Sequence, residues 1–173
     1  TSLETNVSMN LVNVGLDGRP TGKNLLEILS EWIAFRRQTV TKRTQFRLGK
    51  VEDRLHVLEG RLLILLNIDK VIKIIRKSDQ PKHDLISAFD LSDRQADDIL
   101  DMRLRQLARL EHIKIEQELK SLKKNQKSLK KILKDESHLE NLIIEEIESD
   151  TKAFGDKRRT EIKASEKAIL EVK

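Results

Sequence analysis

The side chains that could perform acid–base or metal chemistry are scattered through this sequence of 173 residues. Its four histidines form no i,i+4 pair and share no acidic motif, which argues against a metal site or a general base. There is no glycine-rich phosphate loop, and the sequence contains neither Cys nor Tyr, so thiolate ligands, disulfides and a tyrosine nucleophile are excluded. We therefore expect no catalytic residue, no metal and no bound cofactor in this chain. The histidines are His56, His83, His112 and His138.

A run of seven lysines is the most suggestive binding feature, because clustered positive charge attracts the phosphates of nucleic acids. No aromatic residues are interleaved with it for base stacking, and such a run is more often the solvated face of a long helix. A nucleic-acid-binding helical arm, comparable to the hairpin with which some synthetases contact tRNA, stays an alternative interpretation. The run comprises Lys120, Lys123, Lys124, Lys127, Lys130, Lys131 and Lys134.

The composition indicates what kind of element holds these side chains. Charged residues make up 36% of the chain and aromatic residues 3%, whereas roughly a quarter of the residues in an average domain are charged. High charge with regular apolar spacing favours long helices that share a narrow seam. No apolar run reaches the roughly 18 residues of a membrane span, so we predict no transmembrane helix, no secretory signal and no membrane partner. The absence of Cys fits the reducing cytosol, and we expect a cytoplasmic location.

The N-terminal segment, residues 1–23, is predicted to be non-helical. It contains a strand-like stretch around Val12, and the residues from Gly15 to Pro20 are typical of turns. Helical signals begin only after this segment.

The first long helix is predicted over residues 24–66. Asn24 and Glu27 have the spacing of a capping box, and a helix of this length would extend about 64 Å. The apolar residues of its second half step by three and four, which is the heptad pattern of a coiled coil. They are Leu48, Val51, Leu55, Leu58, Leu62 and Leu65.

Residues 67–112 show three short helical patterns, separated by a break before Pro81 and by a capping box that starts at Ser92. These patterns predict a small globular unit. A second long helix is predicted over 113–154, with Gly155 as its stop and a basic, weakly helical segment over 155–173.

Together these elements predict an all-α fold, in which a long antiparallel coiled-coil hairpin carries a small globular helical tip and a short non-helical N-terminal segment. The charges support antiparallel pairing. The basic stretch 36–50 would face about 130–144, which overlaps an acidic block over 135–150. The third tip helix, 95–107, has more apolar residues than so small a tip can bury, which predicts that the tip self-associates.

Six segments of the sequence resemble the A subunit of bacterial type IIA DNA topoisomerases, the family of topoisomerase IV and gyrase. They follow the family's order through nearly the whole chain, and LDGRP (16–20) and KIIRKSDQPK (73–82) are nearer to topoisomerase IV than to gyrase. The six segments are GLDGRP (15–20), NLLEILSEWIAFR (24–36), HVLEG (56–60), LNID (66–69), QADDILDMRLRQL (95–107) and GDKRRTEI (155–162).

The resemblance implies a place in a larger subunit. Residues 1–23 would end the tower region, 24–66 and 113–154 would form the coiled-coil arm, 67–112 the exit gate, and 155–173 would return toward the tower. The dimer interface between two A subunits would then lie on the third tip helix. It would comprise Ile99, Met102, Arg103, Leu104, Gln106 and Leu107.

The resemblance also implies a function. The family passes one DNA duplex through a transient break in another in an ATP-dependent reaction, which relaxes and decatenates DNA and serves chromosome segregation at the nucleoid. Its catalytic Tyr lies elsewhere in the A subunit, while Mg²⁺ and ATP bind through the B subunit, so this chain would be inactive alone. The implied partners are a second A subunit, the B subunits of a heterotetramer, and duplex DNA.

Movement of the gate suggests hinges where the seam is weakest, namely Thr41, Thr44, Gly49 and Gln126. Gly49 and Gly60 lie inside a helix, where each costs about 1 kcal/mol relative to Ala. Either the close approach of a neighbouring helix or a bending point would explain them. A plain structural coiled coil is the third overall interpretation, and the globular tip argues against it.

Overall fold

A computed structural model describes residues 8–103 and 109–160 of the chain. This part is dominated by helices and contains one small β-hairpin, which confirms the predicted all-α class. The elements in chain order are β1 (Val12–Val14), β2 (Pro20–Gly22), α1 (Leu25–Leu66), α2 (Ile68–Lys77), α3 (Pro81–Phe89), α4 (Asp93–Leu100), α5 (Arg109–Lys134) and α6 (Glu136–Phe154).

The strand-like stretch at the N-terminus pairs with a second strand that the sequence pattern did not predict. β1 and β2 are antiparallel, and Val12 lies opposite Gly22. Gly18 has a φ of 74°, a left-handed conformation that favours glycine, and it closes the turn between the strands. The Nζ of Lys23 lies 2.5 Å from a carboxylate oxygen of Glu31, which ties the hairpin to the first turns of α1.

Helix α1 begins as predicted. The Asn24 side chain accepts a hydrogen bond from the Glu27 N–H, and the Glu27 carboxylate accepts one from the Asn24 N–H, each at 2.9 Å. This reciprocal capping box satisfies two backbone donors at the helix start. Over its 42 residues, α1 extends about 63 Å without interruption.

The prediction of a single returning helix over 113–154 is wrong, because the chain returns as two helices that meet at Asp135. This residue has extended backbone angles, and its carboxylate accepts the Ser137 N–H at 3.0 Å. Aspartate competes for nearby backbone donors in this way, so it favours a helix start over a helix interior. The described part of α5 already includes Arg109, which precedes the predicted start, whereas α6 ends at Phe154 with Gly155 as its C-cap, as expected.

The predicted heptad seam is confirmed as the core of the arm. Val51, Leu55 and Leu58 are buried there, and the other seam residues pack around them. From the opposite side α5 contributes Ile115, Leu119, Leu122 and Leu129.

Ion pairs flank the seam and confirm that the basic stretch faces the acidic block. Arg36 donates to Glu146 at 2.8 Å, and Arg43 bonds the other oxygen of the same carboxylate. Arg37 bridges Glu136, at 2.6 Å, and Glu140. Nearer the tip, further pairs join Arg54 to Glu118, Lys123 to Glu59 and Lys130 to Glu52.

The tip consists of α2, α3 and α4, and the end of α1 contributes to its core. Pro81 is the first residue of α3, and Ser92 with Gln95 forms the predicted capping box of α4. The extension of this last helix to residue 107 is wrong, because α4 ends at Leu100. Asp101 is its C-cap, and acidic residues at a helix C-terminus oppose the helix dipole. The core comprises Ile64, Val71, Leu85, Leu91 and Ile99.

Within the described ranges, no helix is both long and apolar enough to cross a membrane.

Candidate functional site

Helix α4 is fastened to the arm at a point of close contact with α1. A Cβ built on Gly60 would lie 2.9 Å from the Cγ of Gln95, so only glycine lets the two helices approach this closely. The Gln95 amide donates to the His56 carbonyl at 2.7 Å, and the His56 ring is hydrogen-bonded to the Ser92 hydroxyl, also at 2.7 Å. Close approach, one of the two explanations for the helical glycines, therefore applies to Gly60.

Charged pairs reinforce the same contact. The Arg61 guanidinium donates two hydrogen bonds of 2.6 Å to Asp98. These bonds raise the pKa of Arg61 above its ordinary value. Arg94 donates to Asp53 at 3.0 Å. A bidentate arginine–carboxylate pair fixes orientation as well as distance. α4 is thus held in a defined position on the arm.

This attachment presents an apolar face on the tip. A groove of about 270 Å³ lies between α2 and the end of α4. Of the residues on it, Ile72 is 42% exposed, Ile75 39% and Leu100 37%, all high for such side chains. We define the tip face as the apolar residues that line this groove without belonging to the core of the tip, namely Ile68, Ile72, Ile75, Leu100 and Met102.

The predicted dimer-interface residues fall into three groups. Ile99 is 6% exposed and belongs to the core of the tip, while Met102 is half-buried on the tip face and Arg103 is exposed beside it. Leu104, Gln106 and Leu107 lie outside the described residues.

Sequence reasoning missed the contribution of α2 to this face. Val71 points into the core of the tip, whereas Ile72 and Ile75 remain exposed on the groove side. The signal available in the sequence was the number of apolar residues, because four isoleucines and one valine in ten residues are more than one buried helix face needs.

The proposed hinge positions lie inside continuous helices. Thr44 is 3% exposed, and its hydroxyl donates to the Val40 carbonyl at 2.7 Å, so this polar seam residue is satisfied within α1. Thr41 is half-buried nearby, and a Cβ on Gly49 would meet nothing within 4 Å. Gln126 donates to Glu52 at 3.0 Å in the middle of α5. In the described part of the arm, the backbone is interrupted at Asp135 instead.

The histidines have separate partners and do not converge on one site. His138 is bonded to Asp135 at 2.7 Å beside the helix break, and this bond lowers the pKa of Asp135. Over residues 8–103 and 109–160, no group of three or more acidic, His or Cys side chains could hold a metal ion.

Comparison with known proteins shows the family to which the chain belongs. The family of DNA gyrase and topoisomerase IV A subunits matches residues 1–148. The A subunit of DNA topoisomerase 4 from Neisseria gonorrhoeae is 56% identical over 98% of this chain, and that from Pseudomonas aeruginosa is 52% identical over 97%. The A subunit of DNA gyrase from Staphylococcus epidermidis is 42% identical over 94%. The chain spans 22% of the length of the two topoisomerase relatives and 18% of the gyrase.

Proposed function

Because the chain belongs to the family of DNA gyrase and topoisomerase IV A subunits, we propose that it forms the coiled-coil arm and exit gate of a topoisomerase IV A subunit. The higher identity to the topoisomerase 4 relatives than to the gyrase relative supports this branch over the gyrase alternative. The activity of the whole enzyme, ATP-dependent passage of one duplex through another, is part of the proposal.

The exposed tip face is the observation that carries the proposal. An apolar face of this kind on an otherwise highly charged chain marks an interaction surface, and a twofold dimer needs only one self-complementary patch. The groove between α2 and α4 offers a concave site for apolar side chains of a second copy, while Arg76 supplies a polar rim. The core of the tip argues against a plain structural coiled coil, which needs no such unit.

The opposite end of the arm exposes a second apolar surface, formed by the β-hairpin and the first turns of α1. Leu26 is 74% exposed there, and Trp32 and Phe35 are about half exposed. We assign this end to the junction with the rest of the parent protein, which would cover it. The arm then works as a stiff lever between the DNA-cleaving body and the gate.

In this assignment the chain performs no chemistry. The gate holds two copies together while DNA is cut, and it opens to release the transported duplex. The tyrosine that cleaves DNA lies elsewhere in the parent protein, and Mg²⁺ and ATP are bound through the B subunit of the heterotetramer. The site would be in the cytoplasm, at the nucleoid.

The experiment is a measurement of molecular mass by light scattering at micromolar concentrations. The unmodified chain should be a dimer, while Ile72→Glu and Met102→Glu should each be monomeric, since a buried, unpaired carboxylate opposes association. Ile144→Glu is the matched control, because Ile144 is exposed to a similar degree on α6, away from the tip. A monomeric unmodified chain, or loss of the dimer with the control variant as well, would refute the proposal.

A further inference from the structure

Five of the seven lysines of the run form a continuous stripe along the outer face of α5. In the heptad that places Leu119, Leu122 and Leu129 in the seam, these lysines occupy the b and f positions. Lys120, Lys124 and Lys127 also line a shallow groove beside Leu62 of α1. All five are exposed. We define this lysine stripe as Lys120, Lys124, Lys127, Lys131 and Lys134.

The two remaining lysines of the run form ion pairs with glutamates of α1. Lys123 and Lys130 occupy e positions beside the seam, and they pair with Glu59 at 2.9 Å and Glu52 at 2.8 Å. Among the described residues, the stripe itself makes no ion pair with an acid, and residues 119–134 contain neither Asp nor Glu. Stability of the coiled coil therefore explains two of the seven lysines and leaves five without a structural role.

A bare stripe of this kind is unfavourable for the helix that carries it. Like charges three and four residues apart repel one another on a helix surface, and the stripe repeats this spacing along its whole length. Elsewhere on the arm, opposite charges compensate: Arg37 faces Glu136 and Glu140. An anionic partner that spans several lysines at once would remove the repulsion.

The dimensions of the stripe match the backbone of a nucleic acid duplex. The 14 residue steps from Lys120 to Lys134 correspond to about 21 Å along the helix axis, over which one strand of B-DNA presents about six phosphates. α5 contains no aromatic residue for base stacking, so it lacks the feature with which proteins hold single strands. The geometry favours duplex DNA, held through its phosphates without regard to sequence.

We propose that the lysine stripe is a contact surface for duplex DNA as it leaves through the gate. This inference rests on the proposed function, because the two arms of a tip-to-tip dimer would flank the path of the transported duplex. The contact is electrostatic and does not depend on the base sequence. This independence is required because any segment of DNA can be the transported duplex. It would guide the duplex along the arm and release it again.

The test is the binding of a fluorescent 20-base-pair duplex to the 173-residue chain, followed by anisotropy between 50 and 200 mM KCl. If three to five lysines contact phosphates, log K should fall with log salt with a slope of about −3 to −4.5, a loss of about 60- to 500-fold over this range. Changing all five stripe lysines to Gln should flatten this slope and weaken binding at 100 mM salt by at least about tenfold.

A matched control removes the same charge elsewhere. Changing five exposed lysines outside the run to Gln lowers the formal net charge of +5 by the same amount, and it should reduce affinity less than about threefold. An equal loss in both variants, or a single strand of the same length binding as tightly as the duplex, would overturn the proposal. The control positions are Lys42, Lys73, Lys77, Lys152 and Lys157.

Light scattering on the same samples separates this inference from the proposed function. The stripe variant should remain dimeric, and the Ile72→Glu variant should lose the dimer while it keeps salt-dependent binding to DNA. A dimer without duplex binding would refute the stripe and leave the gate intact. A monomer that binds duplex through the stripe would refute the gate, and with it the role of the stripe in DNA exit, but would leave the stripe as a duplex-binding surface.

Discussion

Two glycines in the same helix should respond in opposite ways to the same substitution. Gly49 and Gly60 both lie in α1, and alanine at either position removes the backbone entropy cost of a helical glycine. Their surroundings differ, because a Cβ on Gly49 meets open space, whereas a Cβ on Gly60 would lie 2.9 Å from Gln95. The pair therefore isolates the contact that holds α4 on the arm.

The expected magnitudes follow from these contacts. Gly49→Ala should raise the free energy of unfolding by about 1 kcal/mol. Gly60→Ala should gain the same amount, but it displaces Gln95, whose amide bonds the His56 carbonyl and the Ser92 N–H. Losing two such hydrogen bonds costs about 2 kcal/mol, so the net effect is destabilisation by about 1 kcal/mol. The two variants should differ by about 2 kcal/mol.

Urea unfolding followed by circular dichroism, at one fixed protein concentration, measures this difference. A third comparison sharpens it. In a Gln95→Ala background the obstructing side chain is gone, so Gly60→Ala should become stabilising by about 1 kcal/mol. Equal stabilisation by alanine at both glycines in the native background would refute the claim that Gly60 permits the close contact between α1 and α4.

Three further predictions concern the electrostatics and the backbone of the arm. The hydrogen bond from Arg54 holds the pKa of Glu118 below its ordinary value. The resulting stability is present above the pKa of the unfolded state and is lost as the pH falls through the lower pKa of the folded state. The urea concentration at the unfolding midpoint should therefore decrease below about pH 4, and it should decrease less in Arg54→Gln. Glu146→Gln leaves two half-buried guanidinium groups without a carboxylate, so it should lower the free energy of unfolding in urea by about 1–3 kcal/mol. Glu140→Gln, at a more exposed pair, should lower it by less than about 1 kcal/mol. Equal losses in the two variants would contradict this ranking. Hydrogen exchange should be fastest within the arm at Asp135, where the backbone is interrupted, and fast exchange at Gln126 with protection at Asp135 would favour the hinge inferred from the seam pattern instead.

The sequence was informative about the arm because the interactions that form the arm follow periodic patterns and local capping motifs. The heptad residues from Leu48 to Leu65, the capping boxes at Asn24 and Ser92, and the facing of basic and acidic stretches are repeated signals that a chain can hardly satisfy in another fold. The excess of apolar residues in 95–107 likewise directed attention to the tip as an interaction surface.

The missed features depend on single residues or on tertiary choice. In the sequence pattern Asp135 is one charge of an acidic block, yet its side chain accepts a hydrogen bond from the Ser137 N–H and a new helix starts there. Composition could not decide which of the apolar residues of α2 would be buried. Val71 enters the core of the tip and Ile72 does not, because α1 and α3 pack against only one side of α2.

The central claim is that two copies of this chain meet through their tips, and intermolecular distances between spin labels test it most directly. The chain has no Cys, so Ser87→Cys on the exposed side of α3 and Ser30→Cys at the far end of the arm each introduce a single labelling site. We predict a short, well-defined distance between the two Ser87→Cys labels of a dimer and a longer one between the Ser30→Cys labels. A short distance between the Ser30→Cys labels with none between those at Ser87→Cys would contradict the account.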